Sequence, residues 1–310
     1  MSPTPAIAAI ALIAALPATA QIRPLHTRDL TRLSQPQVAA QLKTSDVIFI
    51  PVGAVEANGI QPSDRDYVSP LAFAMAMAED TAGLYMPGLI WSYPGTTIPA
   101  PSTIHNSPAE GTRFLKHLAY SLLRQGFRRQ VYLSYSHGPA PLTAGALVRE
   151  FFDETRVPIL YINLDTYLPR LQLKDDERHR VLYGAHWMTG RITDLALRGE
   201  YGQADSHASV PPPPNTGLST LGRLGFSGSL SLGSWINDVM AHGPGAPLPA
   251  NAAEREQWGR LGQRQIESIV QRMRMKEAME ALRQHDRYTQ EVIVPRLRQW
   301  LPETRTSPPE

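Results

Sequence analysis

The stretch that most constrains this chain runs from Val47 to Asp66, VIFIPVGAVEANGIQPSDRD. Its first half, Val47 to Val52, is a short, β-branched, uninterrupted apolar run, which reads as a strand buried on both faces. Gly53 and Gly59 then loosen the chain, and Glu56 and Asn58 appear where the strand gives out. Asp66 follows after a Gly- and Pro-containing loop. Two carboxylates at the exit of a buried strand suit hard or borderline metal ions. The competing reading is that they cap a loop and face water, as many loop carboxylates do.

The rest of the chain repeats the same rhythm. Thr31 to Leu42 predicts a short amphipathic helix leading into the first strand, and Ser69-Pro70 predicts the start of the next helix, which ends at Gly83. Leu84 to Trp91 is a second strand candidate, and Tyr93 to Asn106, rich in Pro, Gly and Thr, reads as an irregular loop. Ser107-Pro108-Ala109-Glu110 is a capping box that opens a helix closed by Gly126. Val131 to Tyr135 is the third strand and runs into Ser136-His137-Gly138-Pro139; a helix over 142–154 and a fourth strand over 159–164 follow. Strand and helix alternating in this way predict an α/β fold, a three-layer sandwich with a mostly parallel sheet and helices on both faces. Ligands of such sheets bind beyond the carboxyl ends of the strands, which sends Glu56 and His137 to the same edge.

Further on, Lys174 to Arg178 reads as a solvated helix start, and Tyr183 to Trp187, with His186, as lining for the site. The Pro- and Gly-rich stretch over 203–233 reads as a long loop or flap, and Asn251 to about Gln284 as one long charged helix. The tail over 301–310 is expected to be disordered. His105, His117 and His285 are read as surface or loop residues, and Trp187, Trp235 and Trp258 as packing.

Several function classes drop out on composition. The chain has no cysteine, which excludes disulfides, thiolate metal sites and cysteine nucleophiles. Its net charge is +2 with Lys and Arg scattered, which argues against a nucleic-acid partner. Ala6 to Leu16 is an apolar run too short for a bilayer span and is followed by Ala18-Thr19-Ala20, a small-x-small cleavage pattern. A signal peptide over 1–20, export to the periplasm and a single domain over 21–300 are expected, with no membrane contact after cleavage.

VIFIPVGAVEANG resembles the opening signature of the creatininase (creatinine amidohydrolase) family, a strand of type PVGSVEQHG. Asp66 falls at the aspartate of that family's LGTD turn, with the loop one residue shorter here. Pro101-Ser102-Thr103-Ile104 is similar to its PGTI segment, Leu122 to Ser136 to its helix-Gly-Phe-Arg-strand hallmark, and His137-Gly138 to the start of its HGGN motif. His186 matches the histidine of its HAGEAETS stretch, and Gly245 to Gly259 its late GDP segment.

The resemblance implies a metal-dependent amidohydrolase and a homo-oligomer. The family binds two divalent ions, usually zinc or manganese, and hydrolyses cyclic or linear amides. Carried over by position, Glu56, Asp66 and His137 hold one ion, with Asp66 as the family's bridging carboxylate. The second set is lost. Its histidine is Asn58, at most a weak ligand; its glutamate falls on Pro139 or Arg191; the HGGN asparagine is Ala140. A neutral amide replaces imidazole poorly, and arginine stays protonated. One divalent ion, zinc or manganese, is therefore expected rather than two. His186 takes the proton-shuttle role, and Arg191 could hold an oxyanion or a substrate carboxylate. The substrate is a small amide, and creatinine itself is not expected. The alternative is an exported, non-catalytic binding or assembly module that has lost the two-metal site. Paired-carboxylate glycosidase chemistry carries little weight, since no second acidic pair lies at a strand end.

Overall fold

The structure, a computed structural model, describes residues 24–56, 58, 60–90, 92, 102–104, 106–136, 140–200 and 248–308. The expected signal peptide, His137 and the loop over 203–233 lie outside the described residues. Four strands form one sheet: β1 (Val47–Pro51), β2 (Leu84–Tyr85), β3 (Arg129–Ser134) and β4 (Leu160–Asn163). Their order is β2-β1-β3-β4 and every pairing is parallel, with Phe49 opposite Val131 and Val131 opposite Leu160.

Strand periodicity divides the core in two. Val47, Phe49, Val131 and Leu133 face one layer, while Ile48, Ile50 and Tyr132 face the other. The second layer is built from α1 (Gln35–Leu42), α3 (Pro108–Gln125) and α4 (Ala140–Thr155), which supply Leu42, Leu115, Tyr120, Leu147 and Phe151. The first is built from α2 (Arg65–Thr81), the one-turn α5 (Leu164–Tyr167), α6 (Asp175–Met188), α7 (Ala252–Met273) and α8 (Met275–Tyr288). The three-layer α/β sandwich expected from the sequence is thus the observed architecture.

The second strand, expected over Leu84 to Trp91, is only Leu84–Tyr85, with one isolated bridge from Leu89 to Val52 beyond it. Three other boundaries differ from expectation, each for a local reason. The segment before β1 is a 3-10 turn (Leu30–Arg32) followed by α1, because Pro36 cannot donate back to Arg32 and the helix restarts with Ser34, whose N–H bonds the Gln37 side chain at 3.0 Å. Helix α2 begins at Arg65, not at Ser69-Pro70. The Asp64 carbonyl accepts from Tyr67 and Val68 at 2.8 and 3.0 Å, so the turns before Pro70 are already closed. Asp66 therefore sits in the first helical turn. The long C-terminal helix is two, broken at Arg274 in the left-handed conformation (φ 52°). Met273 and Met275 are both buried in the same core, whereas an unbroken helix would place them about 200° apart. The tail expected to be disordered is tied down at two points: Arg305 N–H donates to the Glu154 carbonyl at 2.8 Å, and Arg156 to that of Pro302 at 3.1 Å.

Glycines set the closest helix contact. A Cβ on Gly184 of α6 or Gly262 of α7 would overlap the partner helix's backbone, and one on Gly259 would lie 2.9 Å from Trp187 Cβ. Backbones approach here because no side chain intervenes. Gly262→Ala should destabilise the protein by about 2 kcal/mol or more. Gly145→Ala in α4, where an added Cβ meets nothing within 4 Å, should stabilise it by about 0.5–1 kcal/mol. Thermal denaturation of the pair reads both signs.

At the amino edge of the sheet, Asp286 of α8 is 4% exposed and accepts from Arg128 Nη2 at 2.8 Å and Arg129 Nη1 at 3.0 Å. Arg129 is itself buried and lies 3.7 Å from Asp46. Asp286→Ala should cost about 3 kcal/mol in denaturant unfolding, because it leaves the buried Arg129 guanidinium with only the more distant Asp46.

Candidate metal centre at the carboxyl edge of the sheet

Beyond β1, Val52 N–H still donates to the Leu133 carbonyl at 2.8 Å and Gly53 N–H to that of Leu89 at 3.1 Å, so the sheet positions the chain up to the loop. Gly53 is required there. A Cβ would come within 2.5 Å of Tyr67 Cβ, so only glycine lets the strand exit press on the first turn of α2, which carries Asp66. The loop between closes on itself, with Glu56 N–H to the Ser63 carbonyl at 2.9 Å and Gln61 N–H to that of Asn58 at 3.0 Å. Asn58 is buried, and its amide nitrogen donates to the Glu56 carbonyl at 3.3 Å.

Glu56 and Asp66 meet. Glu56 is 6% exposed, and its side chain hydrogen-bonds that of Asp66. Asp66 as a residue is half-buried, yet its carboxyl is enclosed. Burial first, then the charge and hydrogen bond of Glu56, push it well above the usual carboxylate range; Arg65 opposes and Asp165 adds to the rise.

Asp165 and Tyr135 are the neighbours that sequence reasoning missed. Asp165 opens α5 at the exit of β4, its N–H bonded to Asn163 Oδ1 at 3.1 Å, and Asn163 Nδ2 reaches the Ser136 carbonyl at 2.9 Å. The exits of β3 and β4 are thereby tied together. The Tyr135 phenol is raised by burial, with Arg65 lowering it and Asp165 and Asp66 raising it further. The available signal was Asp165 following a strand as Glu56 does.

His186 and Arg191 form a second cluster around Asp64. Helix α6 ends in a Schellman turn: Gly190 (φ 73°) donates to the Trp187 carbonyl at 3.1 Å and Arg191 N–H to that of His186 at 2.7 Å. The turn aims Arg191 back at α2, where its guanidinium pairs with Asp64, the residue preceding the helix, while Nε donates to Asp194 at 2.8 Å. His186 is fully buried, with Nδ1 3.0 Å from the Leu182 carbonyl. A carbonyl only accepts, so Nδ1 holds the proton and Nε2 is a lone-pair acceptor. His186 Nε2 and Asp64 Oδ1, like Gln61 Oε1, Arg65 Nε and Ser69 Oγ, are buried without a protein partner. Native polar atoms in such places are normally paired.

The donor set can be tested against a divalent ion. Among the described residues, no three His, Asp or Glu side chains gather closely enough to hold one alone. Glu56 and Asp66 fit as two oxygen donors, since a dication would offset the burial and mutual repulsion that raise Asp66. The third expected ligand, His137, lies outside the described residues, two positions beyond Tyr135.

Burial, the first cause, lowers the His186 pKa below 6.5. Above that pH both folded and unfolded imidazoles are neutral. As pH falls through it, the unfolded chain takes the proton first, so stability is lost on the acid side with a limiting slope of about 1.4 kcal/mol per pH unit. His186→Gln should flatten that part of the stability–pH profile, measured by urea unfolding between pH 5 and 7.5.

With this geometry in place, the chain can be compared with known proteins. The family model for creatininase, described as creatinine amidohydrolase, matches residues 31–211. Similar solved structures include one described as "Creatininase Mn", at 14% identity, 80% of this chain and 98% of that chain, with a TM-score of 0.50. A creatininase point mutant matches at 15% identity over 81% of this chain and 99% of its own, TM-score 0.51. A mutant creatininase complexed with creatine matches at 16% over 80% and 99%, TM-score 0.50. At these identities the structures share the fold. No curated protein matches the chain. The family match spans more than half of the sequence and contains the strand exit, the loop and the helix start that bring Glu56 to Asp66. This chain belongs to the creatininase family.

Proposed function

We propose that this protein is a metal-dependent hydrolase of a carbon–nitrogen bond in a small amide or cyclic amide, working with one divalent ion, zinc or manganese. The observation that carries the reading is the hydrogen-bonded Glu56–Asp66 pair, drawn together at the carboxyl edge of a parallel sheet in a creatininase-family chain. Two carboxyls in contact at a buried strand exit are costly as structure alone and useful as a cation seat. Glu56 and Asp66 would hold the ion with His137. Asn58 has only its amide oxygen left to offer, since its nitrogen is spent on the Glu56 carbonyl. The similar solved structure described as "Creatininase Mn" supports a divalent ion.

Such an ion supplies polarisation of the amide carbonyl and a more acidic water. The protein's own part is to keep two negative oxygens fixed and largely away from bulk water, on a loop closed by four backbone atoms and a helix turn pressed to the strand. By position, the proton shuttle falls on His186 and the anion-holding role on Arg191. To meet an amide beside Glu56, the guanidinium would have to leave Asp64 and Asp194, and the imidazole its buried seat.

Elemental analysis of protein prepared with zinc or manganese should find one tightly held ion per chain, lost in Asp66→Asn and His137→Ala, with hydrolysis of small amides lost alongside. Two tightly held ions would refute the single-ion site. A folded protein holding none would turn the reading to the non-catalytic binding or assembly module. We further propose export, on the apolar run before Ala18-Thr19-Ala20. Mass spectrometry of the protein from its native host should show a chain beginning at Gln21, and a full-length product would refute cleavage.

A further inference from the structure

Arg191 stands where the family resemblance places a glutamate of the second metal set, and the structure gives it different work. We propose that Arg191 is a positioning residue: through Asp64 it clamps the first turn of α2 and so holds the Asp66 carboxyl against Glu56. The inference rests on the reading of Glu56 and Asp66 as ligands, and its mechanical part can be tested without any ion.

Asp64 precedes α2, and its side chain makes no capping hydrogen bond to the helix. Its backbone carbonyl instead receives Tyr67 and Val68 N–H, while the carboxylate turns to Arg191. The two residues are 127 positions apart in sequence, so the pair joins separate elements: the end of α6 and the start of α2. Asp66 is the second residue of that helix. Anything that frees Asp64 loosens the peptide on which Asp66 rides.

The other side of the clamp is rigid. The Schellman turn fixes the Arg191 backbone through the His186 carbonyl, and Asp194, in the 3-10 turn that follows (Ile192–Asp194), holds Nε at 2.8 Å. A fork of five donors serves two carboxylates at once, which a lysine ammonium does with poorer geometry. His186 is fully buried in the same cluster, and burial first, with the Arg191 charge adding to it, lowers its pKa. Burying a neutral imidazole beside a guanidinium avoids placing two cations together. The chain thus keeps a positive charge near its carboxylate cluster without bringing it onto the Glu56–Asp66 pair, whose own cationic neighbour is Arg65.

The test uses the full chain and three variants: Arg191→Gln, Arg191→Lys and Arg255→Gln. Arg255 is the control, because it donates to the Leu195 carbonyl at 2.7 Å in the same corner without touching Asp64. In metal-free protein, hydrogen exchange of the Tyr67 and Val68 amides should be about fivefold faster in Arg191→Gln, the size of a lost helix-end interaction. Arg191→Lys should restore part of the protection, and Arg255→Gln should leave these amides unchanged. Mn²⁺ affinity, by calorimetry, should fall about tenfold in Arg191→Gln, as for loss of a group that orients a ligand, and again not in Arg255→Gln. Unchanged amides in Arg191→Gln, or equal acceleration in the control, would overturn the clamp. Faster amides with unaltered Mn²⁺ affinity would overturn its link to Asp66. Wild-type protein that binds neither Mn²⁺ nor Zn²⁺ would overturn that link together with the proposed function, while the exchange result still decides the clamp.

Discussion

Strand β1 lies between β2 and β3 with both faces buried, and the rest of the molecule follows from that. A parallel strand with no wet face must have helices above and below it, and its neighbours must be reached by crossovers. Every residue from Val47 to Pro51 is buried, and alternate side chains feed two separate cores. The strand's carboxyl end is then the first place where the chain can turn polar. Glu56 appears there, on a loop that the sheet has already aimed.

What sets the geometry of that exit is close approach rather than charge. Gly53 lets the strand end touch Tyr67, and the contact brings Asp66 to Glu56. The same device recurs away from the site, where Gly184 and Gly262 bring α6 and α7 together and fix the end of α6. From that end, Gly190 and Arg191 reach back to Asp64. Two further contacts converge on this exit: Asn58 bonds the Glu56 carbonyl, and Arg191 pairs with Asp64, two positions before Asp66.

The electrostatics divide accordingly. At the carboxyl edge, burial first, then Glu56 and Asp165, raise the proton affinity of Asp66, and Arg65 opposes them. At the amino edge, Asp46 and Asp286 are matched by Arg128, Arg129 and Arg283. Matched charges at one edge serve cohesion; crowded carboxyls at the other suit a cation.

The sequence by itself determined the parallel α/β sheet and the existence of its strands, though not the extent of β2, because apolar runs, capping boxes and glycine stops act over a few residues. Ser107 with Glu110 and Gly126 bracket α3 as read. It also determined Glu56 and Asp66 as candidates, through their motif. Where a local signal competed with packing, packing decided. Ser69-Pro70 looks like a helix start, yet α2 begins at Arg65 because Asp64 closes the earlier turns. The run from Asn251 breaks at Arg274 because Met273 and Met275 both have to be buried. The Asp165 neighbourhood, the seat of His186 and the Arg191–Asp64 pair depend on residues 99 to 127 positions apart in sequence meeting through helix packing. No short-range pattern encodes such a meeting, since it is set by how closely glycine-lined backbones can approach.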